Sequence, residues 1–137
     1  MSYAAAHTLL RTEFRQWWES RVPQIPLGGD NDDFVPPEDG VWAVMNIIPG
    51  DSRLSGLGGD PSSRRWRAVG MLVVQLFVPL ARGTAVAEQL RDDLAAQFQG
   101  RTFDNVILRD VSLVRMGQQG SWHQFNVVTN YQFDYYG

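Results

Sequence analysis

The residues able to do chemistry are few in this 137-residue chain, and their spacing suits little of it. His7 and His123 are the two histidines. His7 falls in a helical pattern and His123 in an alternating strand, and nothing in the sequence brings the imidazoles together, so each reads as a structural histidine rather than a metal ligand. Asp30, Asn31, Asp32 and Asp33 cluster hard oxygen donors. They lack the alternating aspartates and distant glutamate of a calcium loop, and a solvated acidic turn is expected. GLGGDPSS, residues 56–63, is glycine-rich like a phosphate cradle, but it lies between no strand and helix N-terminus and has no lysine. Ser121 and His123 make a poor nucleophile and base pair, and Asp92 with Asp93 belongs to the solvated face of a helix. No catalytic, cofactor-binding or metal-binding residue is expected, and the chain does not read as an enzyme.

One cluster remains. Arg53, Arg64, Arg65 and Arg67 bracket a glycine-rich stretch with Trp66 among them, on a chain whose formal charge is -3. Guanidinium forks bind carboxylates and phosphates, and an adjacent tryptophan can anchor an interface. The expected contact residues are Arg53, Leu54, Leu57, Arg64, Arg65 and Trp66.

Composition narrows the classes further. All 12 basic residues are arginine, which removes a Walker-type loop and Schiff-base chemistry. The absence of cysteine removes disulfides, thiolate zinc sites and a cysteine nucleophile. An acidic balance argues against a general duplex binder. No run approaches a membrane span, and Arg and Glu interrupt the first residues where a signal peptide needs an apolar stretch, so a soluble chain made without export is expected. With 44% hydrophobic residues over this length, a single domain spanning 1–137 is expected.

The elements that must position these residues follow from periodicity. Ser2 suits an N-cap, and Ala6, Leu10, Phe14 and Trp17 fall at helical spacing over Tyr3 to Glu19. Pro23 and Pro26 end that helix, and residues 28–40 read as a surface loop. Val41 to Ile48 suits a short strand, and residues 49–65 read as a long mobile loop at a hairpin tip. Ala68 to Val78 is apolar on both alternating faces, which predicts a strand covered on both sides, fading at Pro79. Thr84 then caps a helix from Ala85 to Gln99, carrying Val86, Ala87, Leu90, Leu94 and Phe98 on one stripe, with Gly100 at C′. Phe103 to Met116 reads as a strand with a bulge near Asp110, and GQQG at 117–120 as a turn. His123 to Tyr135 alternates cleanly, and at this length it must bend or project. Projection leaves unpaired edges, which favours an oligomer.

The aromatic pair of the first helix, the stretch DNDDFVPPEDGVWAVMNIIPGD, the core GMLVVQLFVPLARGTAVAEQLRDDLAAQF and the closing strand WHQFNVVTNYQFDYY together resemble the tail-terminator-like proteins of long-tailed bacteriophages and prophages. The resemblance covers nearly the whole chain. It implies an α/β (α+β) protein with a mixed or antiparallel sheet, two main helices packed on one face and a long hairpin loop. It also implies a non-enzymatic virion protein that assembles as a homo-hexameric ring on the tail tube protein, ends tube growth and presents a joining surface to the head connector or neck protein. Such a protein resides at the top of the virion tail, is assembled in the host cytoplasm, contacts no membrane and surrounds passing genomic DNA. A neck or head-tail joining (tail completion) protein, or a small non-enzymatic binding module, is the alternative.

Overall fold

The computed structural model describes residues 2–29, 34–38, 40–56, 60–80 and 83–137. Asp30, Asn31, Asp32, Asp33 and Leu57 lie outside the described residues.

Helix α1 (Tyr3–Arg21) begins where expected, because the Ser2 hydroxyl accepts from the Ala5 N–H at 3.1 Å. Its buried residues Ala6, His7, Leu10, Phe14, Trp17 and Trp18 form one stripe. Past the helix, the Trp18 indole donates to the Ile25 carbonyl at 2.9 Å and folds the proline-bounded segment back. Strand β1 (Leu27–Gly29) then runs parallel to β2 (Trp42–Gly56). Strand β3 (Arg65–Pro79) ends at the proline that cannot donate to a ladder. Helix α2 (Ala85–Phe98) buries Ala87, Leu90, Leu94 and Phe98, and Gly100 follows with φ +73°. Strands β4 (Thr102–Phe103), β5 (Val106–Gln119) and β6 (Trp122–Tyr136) complete a six-stranded mixed sheet in the order β1-β2-β3-β6-β5-β4.

Both helices pack on one face of that sheet. Phe14 of α1 stacks on Phe98 of α2 with centroids 6.1 Å apart, and Trp17 meets the same ring edge-on at 5.6 Å. Beneath them lie Leu72, Val74 and Leu76 of β3 with Phe125, Val127, Tyr131 and Phe133 of β6. Each large side chain buried here contributes roughly 1.5–3 kcal/mol.

Several expectations need correction. Only the even-numbered face of β3 is covered by helices: Val69 and Met71 on the opposite face are exposed. The apolar run marks a central strand, whose odd-numbered face is buried at Val73 but open at Val69 and Met71. The expected loop at residues 49–65 is strand over its first half. Strand β2 continues to Gly56 and β3 begins at Arg65, with Arg53 opposite Arg67 and Leu54 opposite Trp66. Pro49, Gly50 and Gly56 hide the alternation because they sit at register shifts, between Pro49 and Ser52 and between Leu54 and Gly56. Of the expected GQQG turn at 117–120 only Gly120 turns: β5 runs to Gln119, and Gly120 with Ser121 makes the reversal. Thr84 is the N-cap of α2 as expected, but its hydroxyl makes no capping bond and donates to the Glu88 carboxylate at 3.1 Å instead. The expected Phe103 to Met116 strand is divided by a turn at Asp104, φ +51°, while its bulge near Asp110 is present between Leu108 and Val111.

Strands β3 and β6 pair without interruption from Arg65 opposite Tyr136 to Pro79 opposite Trp122. Fifteen residues at about 3.3 Å each extend roughly 50 Å. The bulges fall in the flanking strands β2 and β5. The β2–β3 tip and the β5–β6 reversal therefore stand at opposite ends of the sheet, and their residues outside the core are mostly exposed.

Candidate functional site

The sequence-derived chemistry stays dispersed. His7 packs against Tyr131 and Phe133, whereas His123 lies eight residues before Tyr131 on the same strand, roughly 26 Å away. Asp92 pairs with Arg91 at 3.1 Å on the exposed side of α2, and Asp93 accepts from Gln89 at 2.8 Å. Among the described residues no group of three or more His, Asp or Glu side chains is placed to hold a metal ion.

The arginine cluster, in contrast, is built into the ribbon of β2 and β3. Register puts Arg53 and Arg67 on the face of the sheet away from the helices, and Leu54 and Trp66 on the helix side. Trp66 is half-buried and fixed: its indole donates to the Gly137 carbonyl at 2.8 Å. Leu54 opposite it is exposed. Arg65 bonds the Ser55 hydroxyl and carbonyl, each at 3.2 Å, and lies 3.7 Å from Asp134. Arg67 makes the closer pair with Asp134, at 3.0 Å, and that hydrogen bond with its Coulomb attraction raises the already high pKa of the guanidinium. The Arg64 backbone carbonyl accepts from the Gly137 N–H at 3.2 Å, while its side chain is exposed. Of the six expected contact residues, Arg53, Leu54 and Arg64 offer the freest side chains, and Trp66 and Arg65 stabilise the ribbon itself.

Two residues of this surface were not singled out by sequence, Arg109 and Asp134. The bulge in β5 breaks the alternation that would place Arg109 outward, and only the β3–β6 register puts Asp134 opposite Arg67. Together they make a continuous outer face with distinct zones. At one end Trp42 stacks on Phe77, 4.0 Å between centroids and 12° between planes, with Trp122 edge-on and Phe34 alongside. Next comes a band of amides, where Asn46 donates to Gln75 at 3.2 Å and Gln124 to Asn126 at 3.1 Å. Beyond these a groove crosses the strands at Gly70, floored by Ile48, Val69 and Met71. It continues between Arg53, Arg67 and Arg109, with Asp51 and Asp110 at its margins. Asn130 donates to Asp110 at 3.0 Å, and this bond, with a backbone hydrogen bond and nearby Arg109, holds the carboxyl below the usual range.

This arrangement offers apolar area, oriented amides and guanidinium groups, with no nucleophile held against a base. Among solved structures, one is similar over 100% of this chain and 99% of its own, at 22% identity with a TM-score of 0.71, and it supports the two-helix, one-sheet fold. No curated protein matches the chain. The family model described as phage tail terminator protein matches residues 5–130, and the chain belongs to that family of structural tail proteins.

Proposed function

We propose that this protein caps the bacteriophage tail tube, ends tube polymerisation at its proper length and forms the surface to which the head connector joins. The observation that carries this reading is the family match over residues 5–130, nearly the whole folded chain. The reading is supported by a sheet face that neither helix covers, where Ile48, Val69 and Met71 are exposed, and by the exposed Leu54 of the β2–β3 ribbon.

A terminator must match the tube's symmetry on one side and refuse further tube subunits on the other. Heterologous contacts that close make a ring, here six copies, whose two faces differ. In this proposal the β2–β3 tip, with Arg53, Leu54, Arg64, Arg65 and Trp66, meets acidic groups of the tube protein or lies beside DNA passing through the lumen. Assembly takes place in the host cytoplasm, and the mature protein stays at the top of the tail.

Light scattering over a range of concentrations, with negative-stain images of the same sample, tests the ring: six-fold particles are expected, alone or on added tubes. Monomers under both conditions would overturn it. The double variant Arg53→Glu, Arg64→Glu, which spares the Arg65 that holds Ser55, should stay folded and lose tail completion, and full activity would remove the ribbon tip from the contact.

A further inference from the structure

We propose that the groove at Gly70 on the outer sheet face receives the Val35-Pro36-Pro37 segment of a second copy of this chain. The inference rests on the ring reading and specifies one of the contacts that would close it. The donor segment is unusual. Val35 is 83% exposed, the most exposed large hydrophobic side chain among the described residues. The two prolines that follow hold it extended, so little chain freedom is lost on docking. Its base is fixed, because Phe34 covers Gly28 so closely that a Cβ there would lie 2.6 Å from the ring. Glu38, the residue that follows the two prolines, is exposed as well.

The receiving groove has the complementary character. Its floor is apolar, formed by Ile48, Val69 and Met71, all exposed, and Arg53, Arg67 and Arg109 stand at one end. Among the described residues Arg53 has no side-chain partner. Nucleic acid fits this groove less well than a peptide does. An apolar floor gives nothing to phosphate, whereas it matches the Val35 and proline side chains. Nor can the segment fill the groove of its own chain. Phe34 sits beside Trp42 opposite Phe77, and Phe77 is seven residues, roughly 23 Å, from Gly70 along β3. An exposed apolar donor next to Glu38 at one end of the sheet, and an apolar groove beside Arg53 towards the other, make a head-to-tail contact, the kind that closes rings.

The chain has no cysteine, so introduced thiols are unique. A short bismaleimide reagent applied to full-length protein carrying both Val35→Cys and Val69→Cys, under conditions where scattering reports assembly, should give covalent species beyond the dimer. Either single variant can give no more than a dimer. Arg53→Glu should raise the concentration needed for assembly at least tenfold, and adding Glu38→Arg to the same chain should restore it in part. Products that stop at the dimer, or normal assembly of Arg53→Glu, in a sample that still forms rings would overturn the proposed contact and leave the ring reading intact. Protein that never assembles, alone or on tubes, would overturn both.

Discussion

His7 and Tyr131 lie 124 residues apart in sequence and are joined by a buried 2.8 Å hydrogen bond between Nε2 and the phenol hydroxyl. The other imidazole nitrogen settles the direction. Nδ1 is 2.9 Å from the Tyr3 carbonyl, which can only accept, so Nδ1 carries the proton and Nε2 accepts from Tyr131. Helix α1 is thereby fixed to β6 by one directional bond inside an aromatic cluster of Tyr3, His7, Tyr131 and Phe133. Tyr131→Phe keeps the ring and removes the donor, leaving Nε2 buried without a partner. That should cost about 1–3 kcal/mol. Urea unfolding checks it, with a lower midpoint and an unchanged slope expected.

The same phenol makes the fold sensitive to alkali. Burial, then proximity to Tyr3, raises the Tyr131 pKa from 10.0 to about 12, with Arg11 opposing. The folded state therefore keeps a proton that the unfolded chain releases. Stability from this group is complete below pH 10 and declines as pH rises through about 12. Thermal midpoints measured from pH 8 upward should fall more steeply in the wild type than in Tyr131→Phe over that window. Parallel curves would show that Tyr131 ionises in the folded protein as it does in water.

Gly70 is opposite Tyr131 in the β3–β6 register, and the tyrosine ring crosses directly over its Cα. A Cβ at residue 70 would overlap the Tyr131 hydroxyl and ring edge, so neither can stay in place. Gly70→Ala should cost about 1–3 kcal/mol by overpacking and weaken the His7 bond as well. Combined with Tyr131→Phe it should cost less than the sum of the two single changes, since both disturb one contact. Strict additivity in a double-mutant cycle would contradict this geometry.

How far the sequence could be read depended on whether a residue's neighbours lie near it along the chain. The helical stripe from Ala6 to Trp17, the cap at Ser2, the end at Pro79 and the alternation from Phe125 to Phe133 are local patterns, and each matches the fold. The β2–β3 tip was unreadable because Pro49, Gly50 and Gly56 sit at register shifts, which break the period-two signal while the ladder continues. Thr84 has the right side chain for a cap, yet its φ of -98° and ψ of -10° are already helical, and its hydroxyl turns to Glu88. Of the surface, the arginine cluster was visible in sequence, since Arg53, Arg64, Arg65 and Arg67 are near neighbours. The groove was not, because Val69, Arg109 and Asn130 meet only through the sheet register.

The free edge of β5 gives a last test. Strand β4 covers this edge only at Val106 and Ile107. At Val111 two side chains of the α2 region continue the cover. Arg91 donates to the Val111 carbonyl through Nε at 3.1 Å and Nη2 at 2.9 Å, and the Gln99 side-chain carbonyl accepts from the Val111 N–H at 2.9 Å. The two long side chains take the place of a neighbouring strand just after the bulge between Leu108 and Val111. Beyond them, Ser112 to Gln119 has no ladder partner on that side among the described residues, and Val114 and Met116 are exposed. Gln99→Ala should speed hydrogen exchange at the Val111 amide and destabilise the fold by about 1–3 kcal/mol, the cost of leaving that donor unpaired. Adding Arg91→Ala opens the carbonyl too, and concentration-dependent aggregation below the wild-type melting point is expected from the longer bare edge. Unchanged exchange at Val111 in the Gln99 variant would show that the bulge, and not these side chains, protects the edge.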